Sequence, residues 1–204
     1  MNEVVLKTYV FSSIIIAATD IILGMKSIKK NKTTGRFLGL ACIGAAIVDI
    51  SYLISITSDS YMAMSVMSSI YFVSIDYMLV CLLIFIVYFT KGRFSKWGRA
   101  AIGVCFFYCL YELVIFAINP FKNIAIGYVR RDTVIAKYSY DMKPLYDMHL
   151  VFSYALVCVV LILLVKKLCK IPHEYRLQYS SVILGLLALV GINAIFLYVP
   201  GAEV

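Results

Sequence analysis

The fold of the protein is decided by one stretch of its sequence, YMAMSVMSSIYFVSIDYMLVCLLIFIVYFT, which covers residues 61–90. This stretch contains a single charged residue, Asp76. A run of about 20 apolar residues is long enough to cross the hydrocarbon core of a bilayer as a helix. Because the stretch is longer than a crossing needs, we expect the helix to tilt or to project at one end.

The composition of the whole chain agrees with a membrane protein. Hydrophobic residues make up 63% of the sequence, charged residues 15%, and the mean hydropathy is +0.93. Soluble domains are about 45–50% apolar. The net charge of +8 does not indicate nucleic-acid binding, because the cations lie in short clusters between apolar blocks. The expected environment is the lipid bilayer.

Windows of about 19 residues predict six membrane spans. They cover residues 4–25, 37–56, 61–90, 100–118, 149–164 and 179–199. The first is too long for a signal-peptide core and lacks a basic region before it, so we expect it to stay in the protein. Residues 1–204 are thus predicted to form one all-α transmembrane module.

Lysine and arginine residues set the expected orientation. The first, third and fifth breaks between spans are rich in these cations, whereas the second, at 58–60, has none. The positive-inside rule places the three basic breaks in the cytoplasm and the N-terminus outside. Six spans then also leave the C-terminus outside. The sequence is therefore expected to be either a complete six-span unit or a chain that stops before a seventh span.

The fourth break, residues 119–147, is the one long polar interruption of the chain. Apolar and polar residues alternate before and after a short charged segment within it, which predicts a β-hairpin. This insert also falls on the outer side, since long translocated loops largely escape the charge rule. An isolated hairpin is marginal in water, so we expect it to lie over the outer mouth of the bundle. Its predicted lid residues are Tyr128, Arg130 and Arg131, the two arginines contacting an anionic ligand or lipid headgroups.

Four acidic residues fall inside the predicted spans, namely Asp20, Asp49, Asp76 and Glu112. Ionisable groups at membrane depth are costly and are functional candidates. Helical spacing places the three aspartates on stripes of mostly small or polar residues that face the interior. We therefore predict a tyrosine-lined ligand site that opens outward and contains Asp49, Asp76, Glu112, Tyr52, Tyr108, His149 and Asn193. The alternative is that these residues only form interhelical hydrogen bonds, each contributing about 0.6–2 kcal/mol.

No catalytic constellation is present in the sequence. There is no Gly-rich phosphate loop, no Ser/His/Asp set and no HExxH motif. The six cysteines form neither a CxxC motif nor a Cys/His cluster. The sequence therefore predicts no catalytic residue, no cofactor, no disulfide and no metal site.

Several stretches resemble a known family of membrane sensors. They include DIILGMKSIKKNKTTGRFLGL (20–40), VDISYLISI (48–56), SSIYFVSIDYMLVCLLIFIVYFT (68–90), YDMHLVFSYALV (146–157) and KIPHEYRLQY (170–179). They are similar to the histidine-kinase N-terminal seven-transmembrane region of bacterial signalling proteins, which is often fused to a GGDEF diguanylate cyclase. The resemblance implies an input module in the bacterial inner membrane whose parent protein dimerises through a cytoplasmic output domain. The output domain and the seventh span would then lie beyond this chain.

Three functions remain open from the sequence. The leading hypothesis is a sensory module that binds a small extracytoplasmic or lipophilic ligand and controls a diguanylate cyclase. The alternative is a small transporter or permease subunit that uses the acids for proton or cation coupling. The third is a structural membrane subunit.

Overall fold

The computed structural model describes residues 3–30, 32–130, 138–174, 176–177, 179–180 and 183–187. The elements within them are α1 (Glu3–Lys29), α2 (Thr33–Thr57), α3 (Tyr61–Lys91), α4 (Lys96–Lys122), β1 (Ile126–Arg130), β2 (Tyr138–Met142) and α5 (Pro144–Leu168). Five of the described helices are long and apolar enough to cross a membrane. The predicted fold class, a helical membrane bundle with a hairpin between the fourth and fifth spans, is confirmed.

The sixth predicted span, residues 179–199, falls mostly outside the described residues. Those parts of it that are described, 179–180 and 183–187, are helical.

Local sequence signals determine where α3 and α4 begin and end. Ser60 and Ser95 precede these helices, and each hydroxyl accepts a hydrogen bond from the backbone N–H three residues later. Gly92 ends α3 with a φ of +75°, a conformation that glycine adopts without steric cost. Asn123 ends α4 with a φ of +49°, in the region that asparagine tolerates better than most residues.

The hairpin occupies only the middle of the predicted insert. Residues 119–122 belong to the last turn of α4, which therefore contains Pro120. Pro144 is the first residue of α5, where its missing N–H needs no partner. β1 and β2 pair antiparallel, with Tyr128 opposite Tyr140 and Arg130 opposite Tyr138.

Helix α3 is the centre of the bundle. It packs against α2, α4 and α5, while α1 packs on α2. One apolar core lies between α3 and α5, and a second lies closer to the hairpin. The second core consists of Phe72, Phe116, Ala125, Ile126 and Tyr146.

Helices α1 and α2 cross at a pair of glycines. A Cβ atom added to Gly39 would lie 2.6 Å from the carbonyl oxygen of Gly24. Contacts between small residues let two helix backbones approach closely in a membrane. The crossing therefore depends on the absence of a side chain at Gly39.

Candidate functional site

Three ionisable side chains from three different helices meet inside the bundle. Asp76 lies on α3, Glu112 on α4 and His149 on α5, and none is more than 3% exposed. The Nδ1 atom of His149 is 2.9 Å from Oδ2 of Asp76 and 3.3 Å from Oε1 of Glu112. We call these three residues the acid–histidine cluster.

The cluster has more acceptor atoms than hydrogens to satisfy them. Nδ1 of His149 carries at most one hydrogen, yet three carboxylate oxygens lie within 3.4 Å of it. Oε1 of Glu112 makes no hydrogen bond with any described residue. A buried polar atom without a partner costs about 1–3 kcal/mol, and more when it is charged. The cluster is therefore suited to accept a further positively charged or hydrogen-donating group.

Ser153 fixes the orientation of the Asp76 carboxylate. Its hydroxyl donates a hydrogen bond to Oδ1 of Asp76, the oxygen that does not face the imidazole. Ser153 follows His149 by four residues on α5, and this spacing places both side chains on one face of the helix. Asp76 is thus held by two side chains of α5.

Aromatic rings enclose the imidazole of His149. The ring centroid of Phe72 is 5.4 Å from that of His149, and Phe116 and Tyr146 lie at 5.6 and 5.7 Å. All three aromatic side chains are buried. Because these rings exclude water, electrostatic interactions within the cluster are stronger than they would be at a surface.

The aromatic enclosure connects the cluster to the hairpin. The ring of Tyr140 on β2 lies 6.2 Å from that of Phe72. The Tyr140 hydroxyl is 3.3 Å from the hydroxyls of both Ser55 and Ser68. Those two serines, one on α2 and one on α3, are 2.9 Å apart. One tyrosine of the hairpin therefore contacts α2, α3 and the wall of the cluster.

Comparison with known protein families identifies the chain. The family described as the N-terminal 7TM region of histidine kinase matches residues 9–203. The chain belongs to this family. It is a multi-pass membrane protein and a sensory input module of the histidine-kinase type, which confirms the resemblance inferred from the sequence. No significant match was found among curated proteins or among solved structures.

In this 7TM region, the other predicted site residues that the structure describes lie outside the acid–histidine cluster. Asp49 is half-buried on α2, and no hydrogen bond or ion pair among the described residues joins it to the cluster. Tyr52 reaches the cluster indirectly, through ring contacts with Tyr71 and then Phe72. Tyr108 packs on Phe152 of α5, with ring centroids 4.0 Å apart. Asn193 lies outside the described residues.

Of the predicted lid residues, Tyr128 packs into the structure and Arg130 is exposed. The ring of Tyr128 contacts those of Tyr61 and Tyr140. Burial raises the pKa of Tyr128 to about 12. Arg131 lies outside the described residues.

Several residues of the site were not among the sequence predictions. They are the ring at the centre of the enclosure, the serine that holds Asp76 and the tyrosine of the hairpin, namely Phe72, Ser153 and Tyr140. Asn119 at the end of α4 was also missed; its side chain accepts hydrogen bonds from the first residues of the hairpin. Two of them had a usable signal in their helical spacing: Ser153 follows His149 by four residues, and Phe72 precedes Asp76 by four on the face predicted to point inward. The absence of a Cys/His cluster led to the prediction of no metal site. That criterion considers neighbours in sequence, and the cluster joins residues that are far apart in the chain.

Proposed function

We propose that the acid–histidine cluster is the site at which this sensory module detects its signal. A small extracytoplasmic or lipophilic ligand would bind at or beside the cluster and change how α3, α4 and α5 pack together. The observation that carries this proposal is that each of the three helices contributes one buried ionisable side chain to a single point. A ligand that binds two packing arrangements unequally shifts the population between them.

A purely structural role for the cluster is less well supported. A network that only joins helices gains most when every buried polar atom has a partner. In this cluster Oε1 of Glu112 has no hydrogen-bond partner within the described part of the chain. Ionisable residues at membrane depth are also costly, which favours a function that needs their charge.

Two routes would lead a ligand to the cluster. One passes beneath the hairpin, along Tyr128 and Tyr140. The other is an apolar groove of about 600 Å³ on the outer surface of α4 and the start of α5. Its lining includes Tyr108, one helical turn before Glu112, and Met148, which precedes His149. Such a groove suits a ligand dissolved in the bilayer.

The output domain that we propose is a GGDEF diguanylate cyclase that follows this module in the full-length protein, on the cytoplasmic side of a bacterial inner membrane. The support is the resemblance to modules with that fusion. The full-length protein would then be a homodimer through the output domain. The reading frame downstream of Val204 tests this proposal. We expect it to encode a further span and a GGDEF domain. If it encodes a histidine-kinase domain instead, the output domain is a kinase and not a diguanylate cyclase.

The role of the cluster is tested by expressing the full-length protein with Asp76→Asn and Glu112→Gln together and measuring cellular cyclic diguanylate, or autophosphorylation if the output is a kinase. Both changes keep the side-chain shape and remove charge. We expect basal output to change several-fold, since about 1.4 kcal/mol between two states alters their ratio tenfold. Asp20→Asn on α1 is the matched control. Unchanged output from a double variant that folds and inserts normally would remove the cluster from signalling.

A flux assay separates sensing from transport. Purified protein in liposomes that contain a pH-sensitive dye should move no protons when a gradient is applied. Proton flux that depends on Asp76 and Glu112 would favour the coupled transporter instead, since carboxylate and histidine chains are typical of proton pathways.

A further inference from the structure

We propose that the acid–histidine cluster is a binding site for a divalent first-row transition-metal ion, with Zn²⁺ as the best-suited probe. The inference shares its site with the proposed function. It does not depend on the output, however, because metal binding is measured on the purified chain.

The donor atoms of the cluster have a geometry that suits a metal ion. Asp76, Glu112 and His149 each offer one ligand atom, and the three atoms lie within 4.8 Å of one another. In a tetrahedral zinc site the bonds are about 2 Å long, which places the ligand atoms roughly 3.3 Å apart. Nδ1 of His149 is 2.9 Å from Oδ2 of Asp76 and 3.3 Å from Oε1 of Glu112. Small side-chain movements would therefore complete the site.

One carboxylate oxygen of Glu112 has no hydrogen-bond partner among the described residues. Oε1 lies 3.3 Å from His149 Nδ1 yet makes no hydrogen bond with any residue that the structure describes, and Glu112 is only 3% exposed. A metal ion placed among the three side chains would coordinate this atom and remove its deficit. It would also replace the single hydrogen that three carboxylate oxygens now compete for.

The charge of the cluster also favours a cation. Two ionised carboxylates beside a neutral imidazole carry a charge of −2 in a buried, membrane-embedded position, which is costly without compensation. One divalent cation makes the cluster neutral. Protons would do the same, by charging the imidazole and neutralising one carboxylate. Metal titration of the purified chain distinguishes neutralisation by a metal ion from neutralisation by protons.

The surroundings of the cluster fit a metal centre. Ser153 donates to the Asp76 oxygen that faces away from the imidazole, as outer partners do for metal-bound carboxylates. Three protein ligands leave at least one coordination position open, the arrangement of zinc sites that accept water or a further ligand. An imidazole ligand favours zinc, copper, iron or nickel over magnesium and calcium.

The test is titration of the purified, metal-stripped 204-residue chain in detergent with Zn²⁺, against a competing indicator, followed by Co²⁺ spectroscopy. We expect one ion per chain, with a visible Co²⁺ spectrum that lacks the thiolate charge-transfer band. That band would identify binding at the cysteines instead. Mg²⁺ at the same concentration should not compete.

Variants assign the ion to the cluster. Asp76→Asn, Glu112→Gln and His149→Gln should each weaken binding by more than about tenfold, and Ser153→Ala by roughly tenfold. Asp20→Asn should bind like the original chain. If a cluster variant fails to fold, the Co²⁺ spectrum of the unmodified chain still decides whether nitrogen and oxygen ligands hold the ion.

The proposal is overturned if the unmodified chain binds no ion, which would leave protons as the neutralising species. It is also overturned if the cluster variants bind as tightly as Asp20→Asn. Metal binding together with unchanged output from Asp76→Asn/Glu112→Gln would preserve the metal site and reject the cluster as the sensing site. The reverse result would preserve sensing and reject the metal.

Discussion

Asn119 shows how much of the architecture depends on a single side chain. It is fully buried at the end of α4. Its Oδ1 atom accepts hydrogen bonds from the backbone N–H groups of Ala125 and Ile126, at 2.8 and 3.0 Å. Its amide nitrogen donates to the carbonyl oxygen of Ile126, at 3.2 Å. One amide thus provides the partners that the first residues of the hairpin lack, and it joins the hairpin to α4.

Asn119→Ala should therefore destabilise the protein markedly. The change leaves two buried N–H groups and one carbonyl without partners, at about 1–3 kcal/mol for each group. The free energy of unfolding, measured by titrating detergent-solubilised protein with dodecyl sulfate, is the readout. Ser139→Ala removes a half-buried hydroxyl of β2 whose one hydrogen bond, to the carbonyl oxygen of Val129, is long at 3.4 Å, so it should change the free energy of unfolding by less than about 0.5 kcal/mol. Equal effects of the two changes would show that Asn119 does not hold the hairpin.

Tyr128 gives the hairpin a dependence on alkaline pH. Its burial raises its pKa to about 12, from an ordinary value of 10.0. The folded state therefore keeps the phenol proton at pH values where the unfolded chain loses it. The resulting stability is fully present below pH 10, and it is lost as the pH rises towards 12.

Tyr128→Phe should remove this dependence. As the pH rises from 10 to about 12, the variant should gain about 1–2 kcal/mol of stability relative to the original chain. This gain is smaller than the full free energy equivalent to the pKa shift, because the ring of Tyr128 is partly exposed. The difference between two otherwise identical unfolding curves isolates Tyr128 from the other tyrosines. A difference that stays constant with pH would contradict the assignment.

At the scale of elements, α3 determines which other elements meet. Phe72 illustrates this, because its ring contacts Phe116 of α4, Tyr146 and His149 of α5, and Tyr140 of the hairpin. A shift of any of these elements changes the walls around the acid–histidine cluster. This arrangement provides a physical path by which the hairpin and the cluster affect each other.

The crossing of α1 and α2 should not tolerate a side chain at Gly39. In Gly39→Ala the new Cβ atom would lie 2.5 Å from Ile28 Cγ1 and 2.6 Å from the carbonyl oxygen of Gly24. Because the second neighbour is backbone, the helices must separate, at a cost of about 1–3 kcal/mol. Unfolding by dodecyl sulfate measures this cost.

Gly103→Ala on α4 is the matched control for this substitution. A Cβ atom there meets nothing within 4 Å, so the change should be neutral or stabilising by up to about 1 kcal/mol through helix propensity. If Gly39→Ala is as well tolerated as Gly103→Ala, close packing does not hold α1 against α2.

For the whole molecule, the sequence predicted the fold better than the site. Apolar blocks and alternating residues locate helices and a hairpin because hydrophobic burial and strand geometry act locally. The meeting of Asp76, Glu112 and His149 depends on how three helices rotate and cross, which no local pattern contains. Composition and depth nevertheless identified all three as candidates. Phe72 shares the predicted interior face with Asp76, but a phenylalanine in an apolar helix does not by itself indicate a site. Asn119, an asparagine beside a proline, has no distinctive pattern.

Orientation decides from which side a signal arrives, and it stays a prediction from the lysine and arginine distribution. The structure supplies two well-placed probes: Val129 on β1 is 55% exposed, and Trp97 at the start of α4 is 87% exposed. In a background with the native cysteines replaced by serine, Val129→Cys should react with a membrane-impermeant maleimide in intact cells. Trp97→Cys should react only after the cells are permeabilised. The reverse pattern would place the hairpin in the cytoplasm, and a ligand that reaches the acid–histidine cluster beneath the hairpin would then have to be an intracellular one.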